Sequence, residues 1–287
     1  MLATGAAELS EKLVAYCREA SRIADEGQAS LAASTKDDQS LVTNIDLQLS
    51  ELAFTYFSPI VGETNIISEE NLQNMDRVMD SVEPDDSPRE EEELLVVVDP
   101  VDGTRNYAHR MPLYGISIGV LRNRRPWLGA VAFPAFNELL FTDGDKPYLT
   151  ACDDAGKPGV RELTPPEPKL ERTDILLMGD ATRLEILDFD VCDCMSIDCA
   201  TVELCWPLLG RGAAAIVGAH LWDFCGTWPI AEKLGFELRG LTSGRRLESF
   251  VPAEYHRDDY TIRDRFVLSR PAHYQRIADS ATGKGSV

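Results

Sequence analysis

The sequence predicts an α/β (α+β) fold in two halves, and three observations predict it. Two amphipathic helical patterns open the chain, short apolar runs bounded by turn residues follow, and a second alternation of helix and strand begins after about residue 150. Residues 6–26 place Ala6, Leu9, Leu13, Ala20 and Ile23 at three-, four- or seven-residue intervals, with Glu8, Glu11, Lys12, Arg18 and Glu19 between them, which is one apolar face of a helix. After the polar segment STKDDQS, Ile45, Leu49, Leu52, Phe54 and Phe57 repeat the pattern from Asn44 onward, and Ser58-Pro59 closes it. The runs at 64–67, 94–98, 115–121, 127–133 and 138–142 then read as strands.

Between Asn71 and Glu93 lies an insertion containing EPDDSPREEEE, with seven acids and one Arg in eleven residues. It has no apolar period and reads as a mobile, solvated loop. The stretch 143–172 (DGDKPY, AGKPG, TPPEP) is rich in turn residues. Beyond it the sequence predicts a strand at 174–178, helices near 181–187, 199–209 and 225–235, and strands at 213–217 and 266–269. The expected organisation is therefore an N-terminal half, 1–150, and a C-terminal half, 151–287.

At 287 residues and 44% hydrophobic content the chain can bury a sizeable core. No apolar run approaches the roughly 20 residues of a membrane span. The start, MLATGAAELSEK, lacks the basic and apolar regions of a secretory signal, so the expected location is the cytoplasm. A formal charge of −20 argues against a nucleic-acid or anionic-membrane partner, because neutralising phosphates takes clustered Lys and Arg. A small anionic substrate remains compatible if bound cations reverse the local field. The cysteines, Cys17, Cys152, Cys192, Cys194, Cys199, Cys205 and Cys225, are odd in number and sit mostly in apolar segments, which reads as buried free thiols. Cys192-Asp193-Cys194 lacks the spacing of a zinc knuckle.

The informative acids stand at the ends of elements. Asp46 opens the second helix, Glu69 and Glu70 follow the strand TNII, Asp99 and Asp102 follow LLVVV, and Asp223 opens a later helix. Each has a purely structural alternative: Asp46 as the acid of a capping box Thr43-x-x-Asp46, Asp223 as an N-cap, Glu69-Glu70 and Asp99-Asp102 as solvated turn residues. Together, carboxylates at the ends of neighbouring strands can converge on one cleft, where they need cations between them. Hard oxygen ligands of this kind suit magnesium or manganese. Gly103-Thr104, directly after Asp102, lets backbone amides approach an anion. Two metals about 3.5–4 Å apart on Glu69, Asp99, Asp102 and Asp223 would clamp a phosphoryl group and activate water.

With these residues in view, the sequence resembles the inositol monophosphatase superfamily of magnesium-dependent, typically lithium-sensitive phosphatases. The family segment Asp-Pro-(Ile/Leu/Val)-Asp-Gly-Thr stands here as Asp99-Pro100-Val101-Asp102-Gly103-Thr104. The element Lys…Leu-Val-Thr-x-x-Asp matches Lys36 and Leu41 through Asp46, the Gly-Glu-Glu-Ser element reads Ser68-Glu69-Glu70-Asn71, and Trp-Asp is Trp222-Asp223. The resemblance implies a layered αβαβα sandwich, usually a homodimer, and two or three magnesium ions that manganese can replace. It implies metal binding by Glu69, Asp99, the Val101 carbonyl, Asp102 and Asp223. It further implies that Thr104 and Asp46 orient and deprotonate the attacking water, that the Gly103 and Thr104 amides hold phosphate, that Glu70 supports the metal ligands, and that Lys36 lies near the site.

The departures concern substrate more than reaction. The Glu-Glu element begins with Ser68 instead of Gly, the family's Gly-Thr-Ala reads Asp198-Cys199-Ala200, and Ile216 stands where inositol-specific members carry a glutamate. Lys233 and Phe236 depart in the helix after Asp223. The reading is a phosphomonoesterase for a small sugar or polyol phosphate. Arg105-Asn106-Tyr107 looks more like the sugar and inositol phosphatases than the nucleotide bisphosphate branch. Phosphatases of 3'-phosphoadenosine 5'-phosphate, fructose 1,6-bisphosphate or histidinol phosphate are the alternatives, and a non-catalytic binding scaffold is the alternative of another class.

Overall fold

The computed structural model describes residues 5–28, 31–35, 41–80, 92–152, 157–167, 169–179 and 191–282. Helix α1 (Ala6–Gly27) is followed by a small antiparallel pair, β1 (Ala33–Thr35) and β2 (Leu41–Thr43), and by α2 (Asn44–Val61). Helix α1 turns Leu9, Leu13, Tyr16, Cys17, Ala20 and Ala24 inward, the face its spacing predicts. Pro59 does not end α2; the helix runs on to Val61.

The main sheet comprises β3 (Ile66–Ser68), β4 (Leu94–Asp102), β5 (Gly115–Arg122), β6 (Arg125–Phe133), β7 (Glu138–Thr142), β8 (Pro147–Cys152) and β9 (Pro158–Glu162), adjacent in that order. β3 and β4 are parallel and each later pair is antiparallel. Residue 150 lies within β8, and the change of sheet comes after Glu162. A second sheet of five strands has β10 (Ile175–Met178), β11 (Asp193–Met195), β12 (Ala214–Val217), β13 (Glu237–Gly240) and β14 (Phe266–Ser269) in the order β11-β10-β12-β14-β13.

Helices separate and cover the sheets. In β4, Val96 and Val98 pack with α1 and α2, whereas Leu95 and Val97 face the other way. That second face meets a middle layer of helices, Ala200–Leu208, Leu221–Cys225 and Trp228–Lys233, which also packs on the five-stranded sheet. The last helix, Pro271–Thr282, covers the outer face of that sheet through Ile277. The order helix, sheet, helix, sheet, helix is the expected αβαβα sandwich. With two short helices yet to be placed, Met75–Asp80 is α3, Thr104–Ala108 is α4, and the middle-layer helices are α5, α6 and α7, with the C-terminal helix α8.

Several expectations are corrected. The insertion is not wholly a solvated loop: α3 lies within it and buries Met75, Val78 and Met79 in the central cluster. Residues 81–91, which include most of its acidic stretch, lie outside the described residues, as does the helix expected near 181–187. The helix expected over 225–235 is the shorter α7 (Trp228–Lys233), and α6 (Leu221–Cys225) is a separate helix before it; Gly226-Thr227 divides them ahead of Pro229, which supplies no N–H to a continuous helix. Among the described residues no helix is long and apolar enough to cross a membrane.

Candidate active site

Alternation along β4 puts Asp99 on the side of Leu95 and Val97, toward the middle helices. Asp99 pairs with Ser117 and Asp102 with Gly115, so β4 spends three positions where β5 spends two. This bulge holds Pro100, which has no N–H for the ladder, and it re-aims Asp102 relative to Asp99. The paired aspartates thus end a core strand and point into the sandwich, not out from a polar turn.

Other elements bring their acids to the same end. Glu69 follows β3, and its backbone N–H donates to the Val98 carbonyl at 3.2 Å, one residue before Asp99. Asp223 sits in the first turn of α6, which approaches closely because Gly119 and Gly129 face it; a methyl group on either would strike the backbone of Cys225 or Gly226. Ser117 Oγ donates to the Trp222 carbonyl at 3.3 Å and fastens that helix opposite Asp99. His220 precedes α6, its N–H donating to Asp223 Oδ2 at 2.8 Å and its ring stacking on Trp222 at 4.5 Å.

Asp46 is fully buried and serves two structures at once. It is the capping-box acid of α2, accepting the Thr43 N–H on Oδ2 at 3.0 Å, and its Oδ1 lies 3.1 Å from the Thr104 hydroxyl. The structural and the chemical readings of Asp46 are therefore compatible. The same Thr104 hydroxyl is 2.9 Å from the Val101 carbonyl, and its single proton serves one acceptor at a time. Gly103 caps α4 with φ 80°, in the left-handed region, and a side chain there would crowd the Leu113 carbonyl and Cys199.

The electrostatics follow from the crowding. Asp99 is 1% exposed, and its Oδ1 has no hydrogen-bond partner. Burial, then Glu69, Asp102, Asp223 and Asp46, hold its carboxyl well above the ordinary range. Asp102 is pushed up to about 7 by burial and by Asp223, against hydrogen bonds from Thr201 and Cys199. Burial raises Asp46 despite the bonds from Thr43 and Thr104. At His220 burial alone would favour the neutral ring, but Asp223 and Glu69 outweigh it and raise its pKa.

Among the described residues no three His, Cys, Asp or Glu side chains form a ready-made metal cage. Asp102 turns Oδ2 to the Thr201 N–H and hydroxyl, and Asp223 turns Oδ2 to His220. The group nonetheless fits a hard cation. Glu69, Asp102, Asp223 and Asp46 stand close enough to raise the Asp99 carboxyl, the donors are all oxygen, and a buried carboxylate oxygen of Asp99 is orphaned among them.

The predicted residues Asp46, Glu69, Asp99, Val101, Asp102, Gly103, Thr104 and Asp223 thus lie on β3, β4, α2, α4 and α6 around one end of the main sheet. Glu70 stands beside Glu69 in the same turn, and Lys36 lies outside the described residues. Sequence reasoning missed His220, Cys199 and Thr201. The readable signal for Thr201 was a threonine in the first turn of a helix, which offers a hydroxyl and an unpaired N–H together. Ser68 has no positive φ and takes the Ser50 hydroxyl at 2.8 Å, so the family's glycine is dispensable there. Ile216 is fully buried with Leu176, Met178 and Val267 and offers nothing polar to a ligand.

Over 206 residues the chain is 28% identical to Inositol monophosphatase 1 of Solanum lycopersicum, covering 68% of each protein. It is 47% identical over 51 residues to the uncharacterized protein y4fL of Sinorhizobium fredii, a match spanning only 18% of either chain. A crystal structure of an IMPase/NADP phosphatase complexed with NADP and Ca2+ superposes with a TM-score of 0.73, covering 98% of both chains at 16% identity, which is a likeness of fold. The profile of the inositol monophosphatase family matches residues 2–278, a span that takes in every element carrying the acids above, and the chain belongs to that family.

Proposed function

We propose that the chain is a divalent-cation-dependent phosphomonoesterase acting on a small sugar or polyol phosphate. The observation that carries this reading is the buried Asp99 carboxylate, orphaned at Oδ1 and surrounded by Glu69, Asp102, Asp223 and Asp46, the last of which also faces the Thr104 hydroxyl. Glu69, Asp99, the Val101 carbonyl, Asp102 and Asp223 would hold magnesium or manganese. Such cations supply positive charge for the phosphate oxygens and make water more acidic.

The chain's own groups account for the remaining chemistry. The Gly103 and Thr104 amides, at the left-handed turn before α4, would donate to a phosphate oxygen. Thr104 Oγ1 takes a proton from the attacking water as it passes its own to Asp46 Oδ1, 3.1 Å away. Burial keeps the Asp46 carboxyl more basic than an exposed aspartate, which suits it to receive that proton. Glu70 supports the ligand set from the turn after β3. Lys36 is assigned by resemblance alone.

A second reading, a nucleotide phosphatase, is favoured by one observation: one structural neighbour of TM-score 0.73 is an IMPase/NADP phosphatase complexed with NADP. Phosphate release should be measured on inositol, fructose, histidinol and adenosine phosphates, in magnesium, in calcium and after chelation. A sugar or polyol phosphate should be hydrolysed fastest, magnesium should be required, and calcium should not replace it. Asp99→Asn should lower turnover at least about a hundredfold, the scale of losing a transition-state charge clamp; magnesium should raise the Tm of the wild type and not that of this variant. An undiminished rate after chelation would refute the cation, and no release from any substrate in magnesium or manganese would favour the binding scaffold.

A further inference from the structure

Asp102 is gripped by a residue that the reaction above does not use. Three donors converge on its Oδ2: the Thr201 hydroxyl at 2.5 Å, the Thr201 backbone N–H, and the Cys199 thiol at 3.3 Å. Thr201 is the second residue of α5, where a backbone N–H has no carbonyl to meet inside the helix. Its side chain is fully buried and lies over Gly115, where any added methyl group would press on its hydroxyl. Gly115 is the residue paired with Asp102 across the β4–β5 ladder. The missing side chain on one strand thus makes room for the hydroxyl that holds the carboxylate on the next.

The grip has a direction. Both Thr201 donors take the same oxygen, with the Cys199 thiol in reach of it and of the Asp102 backbone carbonyl, so the carboxylate is not free to rotate. We propose that Thr201 is the positioning residue of Asp102, fixing Oδ2 to α5 so that Oδ1 is the oxygen presented to a divalent cation. This rests on the reading of Asp102 as a cation ligand. A carboxylate held by outer partners meets a cation already oriented, and losing such a partner typically costs about 10–100-fold in metal affinity.

The test is Mn2+ binding to the chelator-treated full-length chain, read by electron paramagnetic resonance without substrate, beside a thermal scan of each variant. Thr201→Val keeps the shape and the N–H but removes the hydroxyl; Thr201→Ser keeps the hydroxyl. Thr201→Val should weaken Mn2+ binding about tenfold or more while Thr201→Ser stays within about threefold of the wild type. If valine lowers Tm sharply, Thr201→Ala replaces it in the comparison. Unchanged Mn2+ affinity in the hydroxyl-free variant would overturn the proposal. So would a serine variant as weak as valine at normal Tm, since packing over Gly115 would then be the role. A wild type that binds no Mn2+ would overturn the cation reading and this inference with it.

Discussion

Two buried carboxylates, Asp99 and Glu203, sit in the same layered interior with different company. Asp99 is surrounded by acids, whereas Glu203, 1% exposed on α5, receives the Ile197 N–H on Oε1 at 2.8 Å. That bond holds the turn leading into the helix that carries Thr201. Burial first, then Asp102 and Asp198, push the Glu203 carboxyl from its ordinary 4.5 up to about 8, with the Ile197 and Asp198 N–H groups pulling the other way. Because the folded value lies above the unfolded one, its contribution to stability is fully present below the unfolded value. It is lost as pH rises through the folded one, at up to about 1.4 kcal/mol per pH unit. Glu203→Gln keeps an oxygen for the Ile197 N–H and removes the titration. Its stability, measured by urea unfolding, should vary less than the wild type's between pH 5 and 8 and exceed it at pH 8. Parallel curves for the two proteins would mean that Glu203 ionises freely in the folded state.

At the scale of the element, the start of α5 shows why a departure from the family pattern can be tolerated. Asp198 stands where the family usually has glycine, and it adopts φ 60°, the left-handed conformation that glycine takes without strain. Its carboxylate accepts the exposed Arg105 guanidinium at 2.6 Å, tying α4 to the turn before α5. Aspartate enters this region more readily than most residues. Asp198→Gly should therefore fall within about 0.5 kcal/mol of the wild type, losing a surface pair worth little. Asp198→Ala keeps the strain without the pair and should lose about 1–2 kcal/mol. Equal losses in urea unfolding would show that the Arg105 pair, not backbone strain, governs the turn. What the sequence revealed follows the same physics. Strands β4, β5 and β6 announced themselves because both of their faces are buried and their residues are almost all apolar. β9 gave no such signal because every residue of it is exposed, and α8 gave little because Ile277 and Ala278 are its buried hydrophobic residues. Among the candidate site residues, the acids at the ends of elements were legible only as a set, since each alone also reads as a cap or a turn. The bulge at Pro100 and the grip of Thr201 on Asp102 depend on pairings between distant segments, which no local pattern encodes.

For the whole molecule the governing quantity is charge. On the proposed reading a chain of net charge −20 must admit an anion to a group of carboxylates, and the densest acidic stretch, 83–93, joins β3 and Glu69 to β4 and Asp99. Both ends of the insertion are fixed. α3 packs Met75, Val78 and Met79 into the core, and Arg257 and Tyr260 hold Asp80 and Asp76 at 2.6 and 2.9 Å. At the other end Glu93 meets the buried Arg124 at 3.4 Å, and its N–H donates to Asn123 Oδ1 at 3.0 Å. Deleting Val82–Glu90 removes four acids and one arginine and leaves all of these anchors in place. Repulsion between those acids and an anionic substrate acts at long range and is screened over about 8–10 Å at moderate salt, whereas the site's own groups act at contact. The deletion should therefore lower KM about twofold or more at low salt, with kcat at saturating magnesium and substrate nearly unchanged. Raising salt should bring the KM values of the two enzymes together, because it screens the term that separates them. A deletion variant with normal Tm but no turnover would mean that the acidic stretch orders the site itself, and a KM difference that persists at high salt would mean that it contacts the substrate.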